Sequence, residues 1–363
     1  MEKRIGIITF HRASNYGAVL QAYALQRVIC GFGAYAEIVD YRGWAVERDH
    51  KPSMAFSKYH MPMAILRCLQ RFLKAKPFTE FRRNRLMLSD AVTGKDVRKL
   101  DGAYDLFVVG SDQVWSETFA GLDSVYRLDF VKESRKASYA CSFGPFEFSG
   151  ETEVSFRRDL SRLETISVRE ASAKKMLDEH LGLPSRVDVD PTLLLKTDEW
   201  RGLAKAPYNG KGYILVYTVQ PPETLLDAVR ARAKETGLEI VYLNNAYRGN
   251  KDLRHVRYAT PEEFLGWFDG ASYVYTNSFH GTVFSLIFEK DFVVECRTKK
   301  KYNNRSKALL QLTGLEGREL TETDAGDSPI DWLDVRARLA AARDDSFAYL
   351  RSLCTGKGAS LDE

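Results

Sequence analysis

The fold is decided by residues 5–41, which read IGIITFHRASNYGAVLQAYALQRVICGFGAYAEIVDY. The apolar run at residues 5–10 predicts a buried strand. Apolar side chains then recur at helical spacing over residues 17–29, and Gly31 and Gly33 end that helix. A second strand is predicted at residues 36–41. This β-α-β order is typical of an α/β protein with a mainly parallel sheet.

The same alternation continues along the chain of 363 residues, which is long enough for about two domains of roughly 150 residues each. We therefore predict an α/β fold of two Rossmann-like, doubly wound domains facing a cleft. The first domain is predicted at residues 1–197, and the second at residues 198–363, including a helical tail at its C-terminal end. Further strands are predicted at residues 105–109, 137–142, 165–168, 186–189, 213–217, 239–243, 272–276 and 292–295.

Composition narrows the class of protein. The formal net charge is only +4, from 53 basic and 49 acidic residues, which is too small to indicate a nucleic-acid partner. The five cysteines are scattered without a C-x-x-C pair, so neither a zinc site nor a disulfide framework is expected. We also find no signal-peptide core and no apolar stretch near the roughly 18 residues of a membrane helix. These features predict a cytoplasmic protein without a metal.

One basic segment interrupts the alternation and is predicted as an insertion at about residues 43–101. Residues 61–73 within it have the pattern of a basic amphipathic helix. Its charge is compatible with an ordinary solvated surface, with a surface for an anionic glycolipid or lipid diphosphate, or with nucleic acid. The second reading would bring the protein to the inner face of the membrane. The basic side chains are Lys51, Lys58, Arg67, Arg71, Lys74, Lys76, Arg82, Arg83, Arg85, Lys95, Arg98 and Lys99.

Polar loops follow two predicted strands of the first domain, where open α/β sheets bind their ligands. The first loop ends at Asn15, Tyr16 and Gly17, where backbone N–H groups converge at a helix N-terminus; a simple helix cap by Asn15 is the alternative. The second loop carries Ser111, Asp112 and Gln113 after a buried strand. Here the alternative is that Asp112 or Ser111 caps the next helix.

Arg169 lies where the predicted strand at residues 165–168 passes into a helix. A guanidinium can bind a carboxylate or a phosphate through two parallel hydrogen bonds. A structural ion pair with Glu170 or Asp190 explains the sequence pattern equally well.

Two further features belong to the second domain. Ser278, His280 and Gly281 join a strand to a helix, and a neutral imidazole at a helix N-terminus can contact an anion or exchange a proton. A basic stretch that includes Lys301 and Arg305 either holds an anion in the cleft or is a solvated loop.

Taken in order, these motifs resemble the polysaccharide pyruvyl transferase family, over about residues 5 to 320. The segments that carry the resemblance are Thr9–His11, Asn15–Gln26, Val109–Trp115, Tyr139–Gly144, Ser167–Glu170, Asp190–Thr192, Ser278–Gly281 and Asn304–Arg305 before Leu309–Leu310.

The resemblance implies a GT-B-like fold and the transfer of the pyruvyl group of phosphoenolpyruvate onto saccharide hydroxyls. The product would be a cyclic ketal on an oligosaccharide or lipid-linked saccharide, made during surface or exopolysaccharide synthesis without a metal or cofactor. By motif position, Arg169 and His280 would contact the donor. Asn15 and Asp112 would line the cleft, and Asp112 would orient or deprotonate the acceptor hydroxyl.

Two positions depart from the family pattern. Ala18 stands where many relatives have an acidic residue, and Phe279 stands where many have an arginine. Two alternatives therefore stay open: a nucleotide-sugar glycosyltransferase on the same architecture, and a non-catalytic protein that retains the scaffold.

Overall fold

The computed structural model describes residues 2–50, 61–206, 212–243, 253–296, 304–321 and 325–355. The chain divides into two compact units. The first unit comprises the residues up to Leu194 together with the segment that begins at Ala342, and the second comprises Leu195–Ala341.

The first unit alternates strands and helices, as the opening residues predict. Its elements are β1 (Arg4–Ile8), α1 (Tyr16–Gly31), β2 (Tyr35–Ile38), α2 (Trp44–His50), α3 (Met61–Arg85), β3 (Leu106–Val109), α4 (Glu117–Ala120), β4 (Arg135–Ser138), α5 (Gly150–Leu160), β5 (Ser167–Val168), α6 (Ala171–Met176) and β6 (Arg186–Val187).

The sheet of the first unit is parallel, in the order β2-β1-β3-β4. Most strand residues are buried, as expected where helices cover both faces of a parallel sheet. The short pair β5–β6 joins the end of this sheet through a bridge between Cys141 and Val168. Because the chain winds outward in both directions from β1 and β3, the topological switch point lies at the carboxyl ends of these two strands.

The second unit repeats the alternation. Its elements are α7 (Thr197–Leu203), β7 (Ile214–Tyr217), α8 (Leu225–Thr236), β8 (Ile240–Leu243), β9 (Arg254–Val256), α9 (Pro261–Gly270), β10 (Tyr273–Thr276), α10 (Phe279–Ile287), β11 (Asp291–Glu295), α11 (Asn304–Thr313), β12 (Glu319–Leu320) and α12 (Trp332–Thr355), which continues into the first unit.

The sheet of the second unit is also parallel, in the order β12-β11-β10-β7-β8-β9. Read from β9, this is the 3-2-1-4-5-6 order of a Rossmann fold, with its switch point between β7 and β10. The predicted α/β class with two doubly wound units is thus confirmed. The sequence pattern did not predict β9 and β12, because both strands are short and only partly apolar.

The division of the chain differs from the predicted domains at the C-terminal end. The first unit ends at Leu194, near the predicted boundary, but the second half of α12 belongs to the first unit rather than to residues 198–363. The reason is visible in its contacts, since the buried Tyr349 hydroxyl donates to the carbonyl of Ser138 at 2.8 Å. Asp345 also pairs with Arg186 at 2.7 Å. These bonds attach the end of the helix to β4 and β6.

Across the parts of the chain that the structure describes, no helix has both the length and the apolar character that a membrane span requires.

Candidate functional site

Two buried side chains, those of Thr9 and Gln21, fix the loops at the switch point of the first unit. The Thr9 hydroxyl donates to the carbonyl of Ser111 at 3.1 Å, which joins the loops after β1 and β3. Gln21 of α1 bonds to both loops, since its amide nitrogen donates to Thr9 Oγ1 at 2.8 Å and its oxygen accepts from the Ser111 N–H at 3.2 Å. The residues before Asp112 are therefore held rigidly.

The backbone around Asp112 has an unusual course. Gly110 has a φ of 117°, and a Cβ there would lie 2.1 Å from the carbonyl oxygen of Tyr139, so only glycine fits. Asp112 itself has a φ of 75°. The alternative that Asp112 or Ser111 caps the next helix does not hold, because Ser116 is the N-cap residue of α4. Asp112 thus places a carboxylate at the switch point, and its side chain is 13% exposed.

Arg169 lies beside Asp112 and is surrounded by carboxylates. Its side chain is 2% exposed; Nη1 lies 2.6 Å from Asp190 Oδ2, Nη2 3.5 Å from Asp112 Oδ1, and Nε 3.9 Å from Glu170 Oε2. Burial lowers the pKa of Arg169, but the three carboxylates outweigh burial, so the pKa lies above its ordinary value.

The ion pair considered from the sequence is therefore present, and the structure brings Arg169 and Asp112 together. The partners of Arg169 are held in turn: Glu170 accepts from the Ser142 hydroxyl at 2.6 Å, and Asp190 accepts from the Thr192 hydroxyl at 2.6 Å. Three carboxylates around one guanidinium leave the cluster with a net negative charge. A dianionic phosphate would be repelled by that charge, which favours a role for Arg169 in holding Asp112.

Asn15, Tyr16 and Gly17 form the start of α1. The Asn15 side chain accepts from the Ala18 N–H at 3.2 Å, so it caps the helix, as the alternative reading of this loop held. Tyr16 is buried against Phe78, with ring centroids 5.0 Å apart, and Gly17 is buried in the first turn. Their contact with a ligand stays a prediction.

Gln113 is positioned by a glycine of the loop after β4. The Gln113 amide oxygen is so close to Gly144 that a Cβ on Gly144 would lie 2.1 Å from it. Gly144 also has a φ of 63°, which favours glycine independently. The side chain of Gln113 therefore depends on the absence of a side chain at Gly144.

In the second unit, Asn277 connects the two loops of the switch point. Its side-chain oxygen accepts from the Val219 N–H at 3.0 Å, and its side-chain nitrogen donates to the Gln220 carbonyl at 3.1 Å. The Thr276 hydroxyl donates to the Tyr217 carbonyl at 2.6 Å. Thr276 and Asn277 belong to the predicted strand-to-helix segment, but the sequence did not indicate their bonds to the end of β7 and to the loop after it.

His280 lies in the first turn of α10, at this switch point. Ser278 is the N-cap residue and accepts from the Gly281 N–H at 3.3 Å. A Cβ on Gly281 would lie 2.2 Å from Thr276 Oγ1, so this glycine permits the close approach of α10 to β10. His280 is largely buried, and the positive end of the helix dipole lies beside it.

Of the predicted basic stretch, Lys301 lies outside the described residues, and Arg305 lies in α11. The Arg305 guanidinium lies over the ring of Phe279, 5.5 Å from its centroid, which is a cation–π geometry. The ring of Phe279 in turn lies 5.1 Å from that of His280. A guanidinium is thus next to Phe279.

Glu295, the last residue of β11, occupies the N-terminus of α8. Its buried carboxylate accepts the backbone N–H groups of Glu223 at 3.0 Å, Thr224 at 2.7 Å and Leu225 at 2.7 Å. In doubly wound units this first turn is where phosphate groups bind. From the sequence, Glu295 could be predicted only as a strand end, because its partners are about 70 residues away in the chain.

The first unit also has a second ionic cluster, which the sequence pattern did not predict. Asp40, which follows β2, accepts from His11 at 3.0 Å and from Arg12 at 2.9 Å on one oxygen, and from Arg42 at 3.2 Å on the other. Although burial raises the pKa of Asp40, the bond from His11 and the charge of Arg12 hold it well below the usual range. The only sequence signal was an aspartate at the end of a predicted strand.

Within the described ranges, no group of three or more His, Cys, Asp or Glu residues is arranged to hold a metal ion.

Comparison with solved structures defines the class of fold. A protein from Listeria monocytogenes assigned as UDP-N-acetylglucosamine 2-epimerase matches with a TM-score of 0.51 at 11% identity, covering 97% of this chain and 91% of that one. Another UDP-N-acetylglucosamine 2-epimerase matches with a TM-score of 0.50 at 11% identity, covering 97% and 90%. At such low sequence identity, these structural matches establish the fold alone. The chain is an α/β protein of the two-domain, GT-B type.

The family follows from the sequence. The model of the polysaccharide pyruvyl transferase family matches residues 15–294, and the chain therefore belongs to this family of transferases. A search of curated proteins gave no match.

Proposed function

We propose that this protein transfers the pyruvyl group of phosphoenolpyruvate onto hydroxyls of a saccharide, forming a ketal during surface polysaccharide synthesis. Family membership supports the reaction class. The observation that carries the proposal is the position of His280 in the first turn of α10, at the switch point of a Rossmann-like unit.

The second unit supplies groups suited to an anionic donor. The helix N-terminus and His280 present positive potential and N–H donors, and Arg305 adds a permanent charge one ring away. In our proposal these groups bind the phosphate and carboxylate of the donor. His280 is then placed to exchange a proton with the reacting group.

The first unit supplies a carboxylate suited to the acceptor. In our proposal Asp112 receives the proton of the attacking saccharide hydroxyl. Arg169 acts through Asp112 as a positioning residue, because its guanidinium is already bound to Asp190. This changes the role expected for Arg169 from donor binding to orientation of the base.

The proposed chemistry is an addition followed by a substitution at the same carbon. A proton adds to the methylene carbon of phosphoenolpyruvate, and a saccharide oxygen bonds to the adjacent carbon while its hydroxyl proton passes to the base. The C–O bond to phosphate then breaks, and its electron pair leaves with the phosphate. A second hydroxyl of the same saccharide then attacks that carbon and loses its proton, giving the cyclic ketal and inorganic phosphate. General acid–base catalysis contributes roughly 100- to 10,000-fold to such steps, and no metal is required.

Glu295 weighs against a nucleotide sugar whose diphosphate would bind at the N-terminus of α8. A diphosphate at the N-terminus of α8 would need the N–H groups of Thr224 and Leu225, and the Glu295 carboxylate already accepts both. Its negative charge would also repel the phosphates.

The experiment that tests the proposal is incubation of the protein with phosphoenolpyruvate and oligosaccharide or lipid-linked acceptors. We expect release of phosphate and addition of a pyruvyl group, detected by mass spectrometry, with no change on adding a chelator. His280→Gln should lose at least about 100-fold in rate. The control His180→Gln, at an exposed histidine, should retain full activity.

Binding measurements separate the alternatives. Calorimetry should detect phosphoenolpyruvate, and UDP- or GDP-sugars should not bind. Binding of a nucleotide sugar without phosphoenolpyruvate would instead support a glycosyltransferase. Normal function of a folded His280→Gln variant in cells would support a non-catalytic role.

A further inference from the structure

The C-terminal half of α3 is anchored to the first unit. Phe78 and Phe81 are buried, and their ring centroids lie 5.0 Å from that of Tyr16 and 6.0 Å from that of Tyr23. Both tyrosines belong to α1. The helix therefore has a fixed position that does not depend on its N-terminal half.

The part of α3 before Pro77 has a different character. Its Ile65, Leu69, Phe72 and Leu73 side chains are 55%, 51%, 55% and 38% exposed. Their spacing of four, seven and eight residues from Ile65 places them along one side of the helix. We call these four residues the α3 stripe. Such a row of large apolar side chains in water is unfavourable unless a partner covers it.

The charge around the α3 stripe is mainly positive, although Lys76 pairs with Glu80 at 3.9 Å. Arg71, Lys74 and Lys76 are exposed on the same part of the helix. Between Asp49 and Glu80 the sequence has six lysines and arginines and neither aspartate nor glutamate. The formal positive charge of this segment therefore exceeds the net charge of +4 of the whole chain. The excess positive charge of the protein is thus concentrated in this segment.

We infer that the N-terminal half of α3 docks on a membrane surface that contains anionic lipids. The α3 stripe would enter the boundary between headgroups and acyl chains, and the basic side chains would contact the lipid phosphates. A second copy of this chain would cover the apolar side chains equally well. It would, however, bring two basic segments together, which is electrostatically unfavourable.

This docking does not depend on the identity of the donor. Under the proposed function, it would bring the first unit to acceptors that are linked to lipid in the membrane. Vesicle binding is measured without catalysis, so a failure of either proposal can be recognised separately.

The test is sedimentation of the full chain with vesicles of phosphatidylcholine alone, or with about one third phosphatidylglycerol. We expect binding to the anionic vesicles, at least tenfold weaker binding to the neutral ones, and release in about 0.5 M salt. Equal binding to both vesicles, or no binding to either, would overturn the inference.

Two double variants address the two parts of the surface. Leu69→Ser/Phe72→Ser removes apolar contact, and Lys74→Glu/Lys76→Glu reverses charge; each should weaken vesicle binding at least tenfold. The matched controls are Leu333→Ser and Lys175→Glu, whose side chains are 75% and 72% exposed on other helices.

Far-UV circular dichroism and thermal unfolding confirm that each variant is folded. Under the proposed function, activity on a water-soluble acceptor should be unchanged in all four. An equal loss of vesicle binding in the controls would contradict the inference. A dimer in light scattering that Leu69→Ser/Phe72→Ser abolishes, without vesicle binding, would assign the α3 stripe to a second copy.

Discussion

Nη1 of Arg169 lies 2.6 Å from Oδ2 of Asp190, and both side chains are almost completely buried. A buried ion pair is expensive to break, because removing one partner leaves the other charge without compensation. We therefore expect Arg169→Ala to lower the free energy of unfolding by about 3–5 kcal/mol, measured by urea denaturation. A change below about 1 kcal/mol would show that water already compensates these charges.

The more conservative Arg169→Lys keeps the charge and tests the role of Arg169 in the proposed reaction. A lysine cannot reproduce the planar fork that reaches both Asp190 and Asp112. If Arg169 positions the base, kcat should fall by about tenfold or more, while the KM for phosphoenolpyruvate changes little. A large rise in this KM at unchanged kcat would instead place Arg169 in contact with the donor.

Gly281→Ala tests how His280 is placed. A Cβ at Gly281 would lie 2.2 Å from Thr276 Oγ1 and 2.9 Å from Thr276 Cβ, so α10 must move away from β10. We expect a loss of about 1–3 kcal/mol in unfolding free energy, together with reduced activity.

The matched control for that variant is Gly202→Ala in α7, where an added Cβ meets nothing within 4 Å. Alanine is favoured over glycine in a helix by up to about 1 kcal/mol, so this variant should be neutral or stabilised. Equal effects of the two variants in thermal unfolding would contradict the packing argument.

Periodicity and motif order were sufficient to predict much of this fold. The strands of both sheets that are strongly apolar, such as β1, β3 and β10, were all found close to their predicted positions. The pattern could not show that the end of α12 returns to the first unit, because the contacts of Tyr349 with Ser138 join residues more than 200 positions apart.

For the candidate site, the sequence indicated individual residues but not how they are connected. Asp112 and Arg169 were both identified, and the structure brings them together. The sequence pattern named Glu170 and Asp190 as possible partners of Arg169, but it did not indicate Asp112, which is 57 residues away in the chain. Glu295 was not identified as a ligand of backbone N–H groups, because nothing local distinguishes it from any acidic residue at a strand end.

Because of Asp40, the free energy of unfolding should depend on pH in the acid range. Because its pKa in the folded protein is lower than in the unfolded chain, the stabilisation is complete at neutral pH and is lost as the pH falls below the ordinary value of 3.8. Unfolding free energies at pH 7 and pH 3 should differ less in Asp40→Asn than in the wild type. The control is Asp198→Asn, whose side chain is 95% exposed and which should behave like the wild type. An unchanged pH dependence in Asp40→Asn would show that other carboxylates determine it.

The position of Glu295 leads to a direct prediction about the exclusion of phosphate groups from the N-terminus of α8. Its carboxylate accepts three consecutive N–H groups at the start of α8, so it neutralises the positive end of that helix. Glu295→Ala should lower the unfolding free energy by about 1–3 kcal/mol, because buried donors lose their acceptor. It should also leave those donors available to an external anion.

We expect inorganic pyrophosphate to stabilise Glu295→Ala against thermal unfolding more than it stabilises the wild type. In NMR spectra, the amide signals of Glu223, Thr224 and Leu225 should move on titration only in the variant, which distinguishes this turn from anion binding at His280. Glu295→Gln is the matched control, since it keeps an acceptor oxygen at the same position and should gain less. If pyrophosphate moves the same three signals in the wild type, the Glu295 carboxylate does not exclude phosphate, and the nucleotide-sugar alternative regains its strongest structural argument.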